Sequence, residues 1–132
     1  MIRAEDLMIG NWVDAAGDYE KVMGIEKSHF YTCSFKSTWA EINPIPLTEE
    51  ILLKAGFEWV EKDKCFFIEA TDVEYLFFLD TDYSEDNPNC GYMGVRDFDE
   101  GGFVNFSWGI KYVHQLQNLF KALANEELKI EL

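Results

Sequence analysis

Two sets of side chains in this sequence have the types and spacing that chemistry requires. In Leu76-Phe77-Phe78-Leu79-Asp80-Thr81-Asp82 an apolar strand runs into an Asp-x-Asp pair. Paired carboxylates at a strand end suit phosphoryl transfer, one as nucleophile and the other as acid and base. That chemistry is built on a parallel sheet with further motifs downstream, and only 50 residues follow Asp82. As a calcium loop, Asp80, Asp82 and Ser84 have the oxygen-ligand spacing. Glu85 then stands where the loop needs glycine, and Gly91 where it needs a bidentate glutamate, so an EF-hand is excluded. A solvated charged loop is the expectation, with a weak irregular cation site as the alternative.

The second set is His114, Gln115, Gln117 and Asn118, four polar residues within one helical stretch. Histidine titrates near neutrality and can carry protons, but no serine or cysteine pairs with His114 by spacing. A surface or capping role is expected for it and for His29. The polar group as a whole is expected to cover a sheet edge or satisfy backbone groups, with a binding surface as the alternative. Gly101-Gly102 lacks the surroundings of a phosphate loop. Cys33, Cys65 and Cys90 form no zinc pattern with the two histidines and read as reduced thiols. No metal or cofactor is expected.

Charge narrows the function classes. The 132 residues include 25 acids and 11 bases, a net charge of −14. Gripping phosphates needs a concentrated basic surface, so direct nucleic-acid binding and anionic membranes are disfavoured. The charge is also uneven: residues 71–100 hold nine acids against one base, Arg96, which is −8 of the −14. Asp80, Asp82, Glu85, Asp86, Asp97, Asp99 and Glu100, in two polar loops of that stretch, are the candidate partner-binding residues. The chain lacks an 18-residue apolar run and a signal-like N-terminus, so a cytoplasmic location is expected.

These residues must be held by the elements around them. Residues 1–46 read as short strands: 6–13, a turn at Ala15-Ala16-Gly17-Asp18, then 19–25, 30–35 and 38–42, with Lys36-Ser37 as a turn. Many short strands with tight turns suggest a small, SH3-like barrel lobe. Pro44 and Pro46 close it. Residues 47–132 read as an α+β lobe. Thr48 caps a short helix over 48–55, with Gly56 just past its end. An antiparallel meander follows over 57–108, with Val73–Leu79 as its central strand. In 111–124 the apolar positions Tyr112, Val113, Leu116, Leu119, Phe120 and Leu123 define one face of an amphipathic helix packed on the sheet. Alternation in Leu128–Leu132 suggests a final strand. Trp12, Trp39, Trp59 and Trp108 fall inside candidate strands and are expected in the core.

The segments Ile9-Gly10-Asn11-Trp12-Val13, Pro44-Ile45-Pro46-Leu47-Thr48-Glu49-Glu50 with Leu52-Leu53-Lys54 and Gly56-Phe57, and Lys111-Tyr112-Val113-His114-Gln115-Leu116-Gln117-Asn118-Leu119 resemble a family of small proteins from phages, prophages and mobile elements of gut-associated bacteria. The resemblance implies a mobile-element origin in a bacterial cytoplasm and carries no catalytic residues with it. The leading expectation is a non-enzymatic module that binds another protein, with the acidic stretch meeting a basic surface. Two alternatives stand beside it. One is a metal-assisted hydrolase using Asp80 and Asp82. The other is nucleic-acid binding by the N-terminal lobe, which requires Arg3, Lys21, Lys27 and Lys36 to converge.

Overall fold

In the computed structural model, the described residues are 2, 4–27, 29–32, 36–38, 42–79, 91–96 and 103–132. After a 3-10 turn, Ala4–Asp6, the first half builds β1 (Trp12–Ala15), β2 (Asp18–Ile25), β3 (His29–Thr32), β4 (Lys36–Thr38) and β5 (Ile42–Asn43). They form one antiparallel sheet in the order β4-β3-β2-β1-β5. The turn between β1 and β2 is at Ala16-Gly17, where Asp14 Oδ1 accepts from the Gly17 amide at 2.8 Å. Ile2, Leu7, Val13, Ala15, Val22, Phe30 and Ile42 make a separate small core.

The expected strand over 6–13 starts later, at Trp12. Asn11 explains this. Its Oδ1 accepts from the Met8 amide at 2.7 Å, and its own amide donates to Met8 O at 3.1 Å, closing residues 8–11 into a tight loop. Such side-chain bonds compete with ladder bonds, as short polar side chains do in turns. Lys36-Ser37 is a strand and not a turn, because both residues pair with β3.

The second half follows its expected order closely. Helix α1 (Glu49–Lys54) is capped by Thr48, whose Oγ1 accepts from the Ile51 amide at 3.2 Å. Then come β6 (Glu58–Val60), β7 (Cys65–Ala70), β8 (Val73–Leu79), β9 (Gly91–Arg96) and β10 (Phe103–Ile110), ending in α2 (Val113–Ala124). The second sheet is an antiparallel meander, β10-β9-β8-β7-β6, with β8 in its middle. The molecule is therefore α+β, with two antiparallel sheets and a C-terminal helix.

Phe77 on β8, Phe57, Met93 and Leu116 of α2 are fully buried in the larger core, each burial worth about 1.5–3 kcal/mol. Gly91 is required by this packing, since a Cβ there would lie 2.4 Å from Phe77 Cζ. Phe120 of α2 meets Tyr75 edge-on, with centroids 5.6 Å apart.

Two expectations fail here. Residues 128–132 alternate in burial, with Leu128 and Ile130 inside and Lys129 and Glu131 outside, but they join no strand. Alternation reports a one-sided environment, and here that side is the larger core. Trp59 is not in the core: it lies on edge strand β6, is 46% exposed, and stacks edge-on against Phe66. The side chains of Trp39 and Trp108 lie outside those described. Cys65 is a buried thiol at the start of β7; Cys33 and Cys90 lie outside the described residues.

Candidate functional site

Helix α2 begins where 111–113 runs beside 45–47. Leu47 N donates to Lys111 O, and Val113 N donates to Ile45 O, both at 2.9 Å. Gln115 sits three residues past the N-cap Tyr112. Its Oε1 accepts from the Lys111 and Tyr112 amides at 2.8 and 3.2 Å, which satisfies donors that a helix start leaves open.

One turn further on, the polar side of α2 meets the N-terminal lobe. Gln117 Oε1 accepts from the Trp12 amide at 2.9 Å, and its Nε2 donates to Gly10 O at 3.1 Å. Strand β5 pairs β1 only at Asp14 and Ala15, so Gln117 serves the stretch of β1 that β5 does not reach. Asn118 Oδ1 accepts from Asn11 Nδ2 at 2.8 Å, while its Nδ2 donates to Asp6 O at 2.9 Å. Trp12 Nε1 completes the junction by donating to Ile130 O of the C-terminal tail at 2.9 Å.

The group His114, Gln115, Gln117 and Asn118 is thus not an open polar surface. Gln117 and His114 are buried, Asn118 is half-buried, and only Gln115 is exposed. Gln115, Gln117 and Asn118 satisfy backbone groups, the role expected of this polar group. Sequence periodicity marks a polar face but not whether water or another lobe covers it.

His114 retains the least ordinary environment. It is 4% exposed, its ring stacks on Tyr112 with centroids 5.9 Å apart, and its Nδ1 is buried without a hydrogen-bond partner. Burial pushes its pKa below 6.5, and the nearby Asp6 carboxylate opposes that only in part.

Between the 8–11 loop, β2, α2 and the tail 127–131 lies a half-open cleft of about 240 Å³. Lys21, Lys121 and Lys129 line it, together with Glu127 and Glu131. Lys21 Nζ stands 5.6 Å from the Trp12 ring centroid. Met8 and Ile9 form part of its wall and are 45% and 63% exposed. Gly10, at φ +97°, lets the loop turn beside them. Sequence reading missed this site, because residues 8–21 and 117–131 lie at opposite ends of the chain and only the fold brings them together.

The seven acidic candidates, Asp80, Asp82, Glu85, Asp86, Asp97, Asp99 and Glu100, lie outside the described residues. The strand ends that carry them are described. Leu79 pairs with Gly91, so 80–90 leaves at one end of the second sheet, and Arg96 pairs with Phe103, so 97–102 leaves at the other. Six-residue β9 separates these ends by roughly 17 Å. The two acidic loops are therefore rooted apart. Of the bases needed for a nucleic-acid lobe, Lys21 lines the cleft and Lys27 lies between β2 and β3. Arg3 and the Lys36 side chain are outside those described.

Among the described residues, no group of three or more His, Cys, Asp or Glu is arranged to hold a metal, and no helix is long and apolar enough to cross a membrane. The architecture defines an α+β protein joined through α2. Comparison with known proteins found no matching family model, no matching curated protein and no matching solved structure.

Proposed function

We propose that this chain is a non-enzymatic protein-binding module that turns an acidic end of its second sheet toward a basic partner. The supporting observation is a convergence at that end. Glu69 and Asp72 are exposed there, Glu74 lies directly opposite Glu69, and the 97–102 segment carrying Asp97, Asp99 and Glu100 leaves from the same end. An acidic end of this kind is the electrostatic complement of a basic surface.

The sequence resemblance to phage and mobile-element proteins supports reading this binding as one made in a bacterial cytoplasm. A DNA-mimicking inhibitor of a host DNA-binding protein is its most specific form. Affinity purification of the full chain from the native host, followed by mass spectrometry, tests the reading. Two variants separate the loops: Asp97→Asn/Asp99→Asn/Glu100→Gln, and Asp80→Asn/Asp82→Asn/Glu85→Gln/Asp86→Asn. A basic protein retained by the wild type and released by the first variant is the expected result. Retention unchanged by both variants would overturn it.

A further inference from the structure

We propose that the cleft between the 8–11 loop, β2, α2 and the C-terminal tail binds a small organic monoanion, a carboxylate carried on a compact apolar body. This site is separate from the acidic sheet end and does not depend on it.

Three of the eleven bases of a chain with 25 acids line this one cleft. None of the Lys21, Lys121 and Lys129 ammonium groups has a carboxylate partner among the described residues, whereas Lys54 pairs with Glu50 and Lys64 with Glu61. The amides of Gln117 and Asn118 are already committed to Trp12, Gly10, Asn11 and Asp6, so the floor is fixed before any ligand arrives. A preorganised floor lowers the ordering cost of binding. The charged contacts are then left to the lysines, which act as adaptable point charges and not as rigid forks.

The apolar part of the ligand follows from the wall. Met8 and Ile9 are exposed on a loop pinned by Asn11, and lysine stems add further apolar surface. The limit of one negative charge follows from the rest of the chain. Glu127 and Glu131 stand in the same lining, and a net charge of −14 repels polyanions at long range. A volume of about 240 Å³ falls below that of sites for drug-sized ligands, which suits a body of a few carbons.

The test is a titration of the isotope-labelled full chain with sodium hexanoate, followed by amide NMR, with 1-hexanol and hexylammonium as matched controls. Saturable shifts are expected at the Gly10 and Asn11 amides and at the side-chain amides of Gln117 and Asn118. Hexanoate should bind at least about tenfold more tightly than either control. Lys121→Gln/Lys129→Gln should weaken hexanoate by about tenfold and leave hexanol unchanged. These side chains lie at the surface or half-buried, and amide positions away from the cleft report whether the variant folds. Ile9→Glu, at the exposed rim, should abolish binding. Equal affinity for hexanol and hexanoate, unsaturable shifts, or a double variant that binds hexanoate as the wild type does would each overturn the proposal.

Discussion

Burial decides what His114 does. Its folded pKa is below 6.5 because desolvation disfavours the charged ring, with Asp6 as partial compensation. The unfolded chain therefore takes up this proton first as pH falls. The folded state has its full stability above the unfolded value and loses it as pH drops through 6.5 toward the folded value. Urea unfolding should show the wild type losing more stability than His114→Gln between about pH 7.5 and pH 5.5. Equal losses would show that the buried ring contributes nothing to the pH dependence. Residue type alone marked His114 as titratable, but its depressed pKa comes from neighbours that the fold supplies. The same contrast holds for Gln117, which periodicity places among the polar residues of α2 without naming the groups it serves. In the structure it satisfies the Trp12 amide and Gly10 carbonyl, and its loss would leave two backbone groups short of a partner.

The elements of the second half were largely legible. Thr48, two glutamates and Gly56 mark α1 from both ends, and the polar residues 61–64 separate β6 from β7. Element β7–β8 carries a local conflict. Its two-residue turn has Thr71 at φ 50° and Asp72 at φ 63°, where hairpins favour Asn-Gly and a β-branched residue is strained. Thr71→Asn/Asp72→Gly should therefore stabilise the protein by about 1 kcal/mol or more, read as a higher urea midpoint with unchanged slope. A lower midpoint would mean that this turn is held by contacts of its own side chains, among them the Thr71 Oγ1 bond to Ala70 O at 2.8 Å. The first half was harder to divide from sequence. Asn11 diverts residues 8–11 into a loop through a side-chain bond, and β4 and β5 are three and two residues long, too short for periodicity to register.

At the scale of the molecule, α2 belongs to both halves. One side carries Val113, Leu116 and Phe120 in the larger core, while Gln117 and Asn118 fasten the N-terminal lobe. Ile45 and Leu47, on either side of the 46/47 division read from sequence, both lie in the larger core. Ile45→Ala should cost about 2–5 kcal/mol. The two lobes should still unfold in one calorimetric transition whose enthalpy matches its van't Hoff value. Two resolved transitions would show that the helix does not couple them. By itself, the sequence determined the class of the fold, the order of strands in the meander, the two helices, and the concentration of charge in 71–100. These follow from local propensity, periodicity and composition, which each segment carries with it. Only the tertiary structure decided that the polar side of α2 is an interface, that the alternating tail packs without pairing, that the acidic loops are rooted at opposite ends of a sheet, and that three lysines share one cleft. Each of these depends on groups far apart in the chain, whose meeting is fixed by packing and by the need to satisfy buried backbone groups.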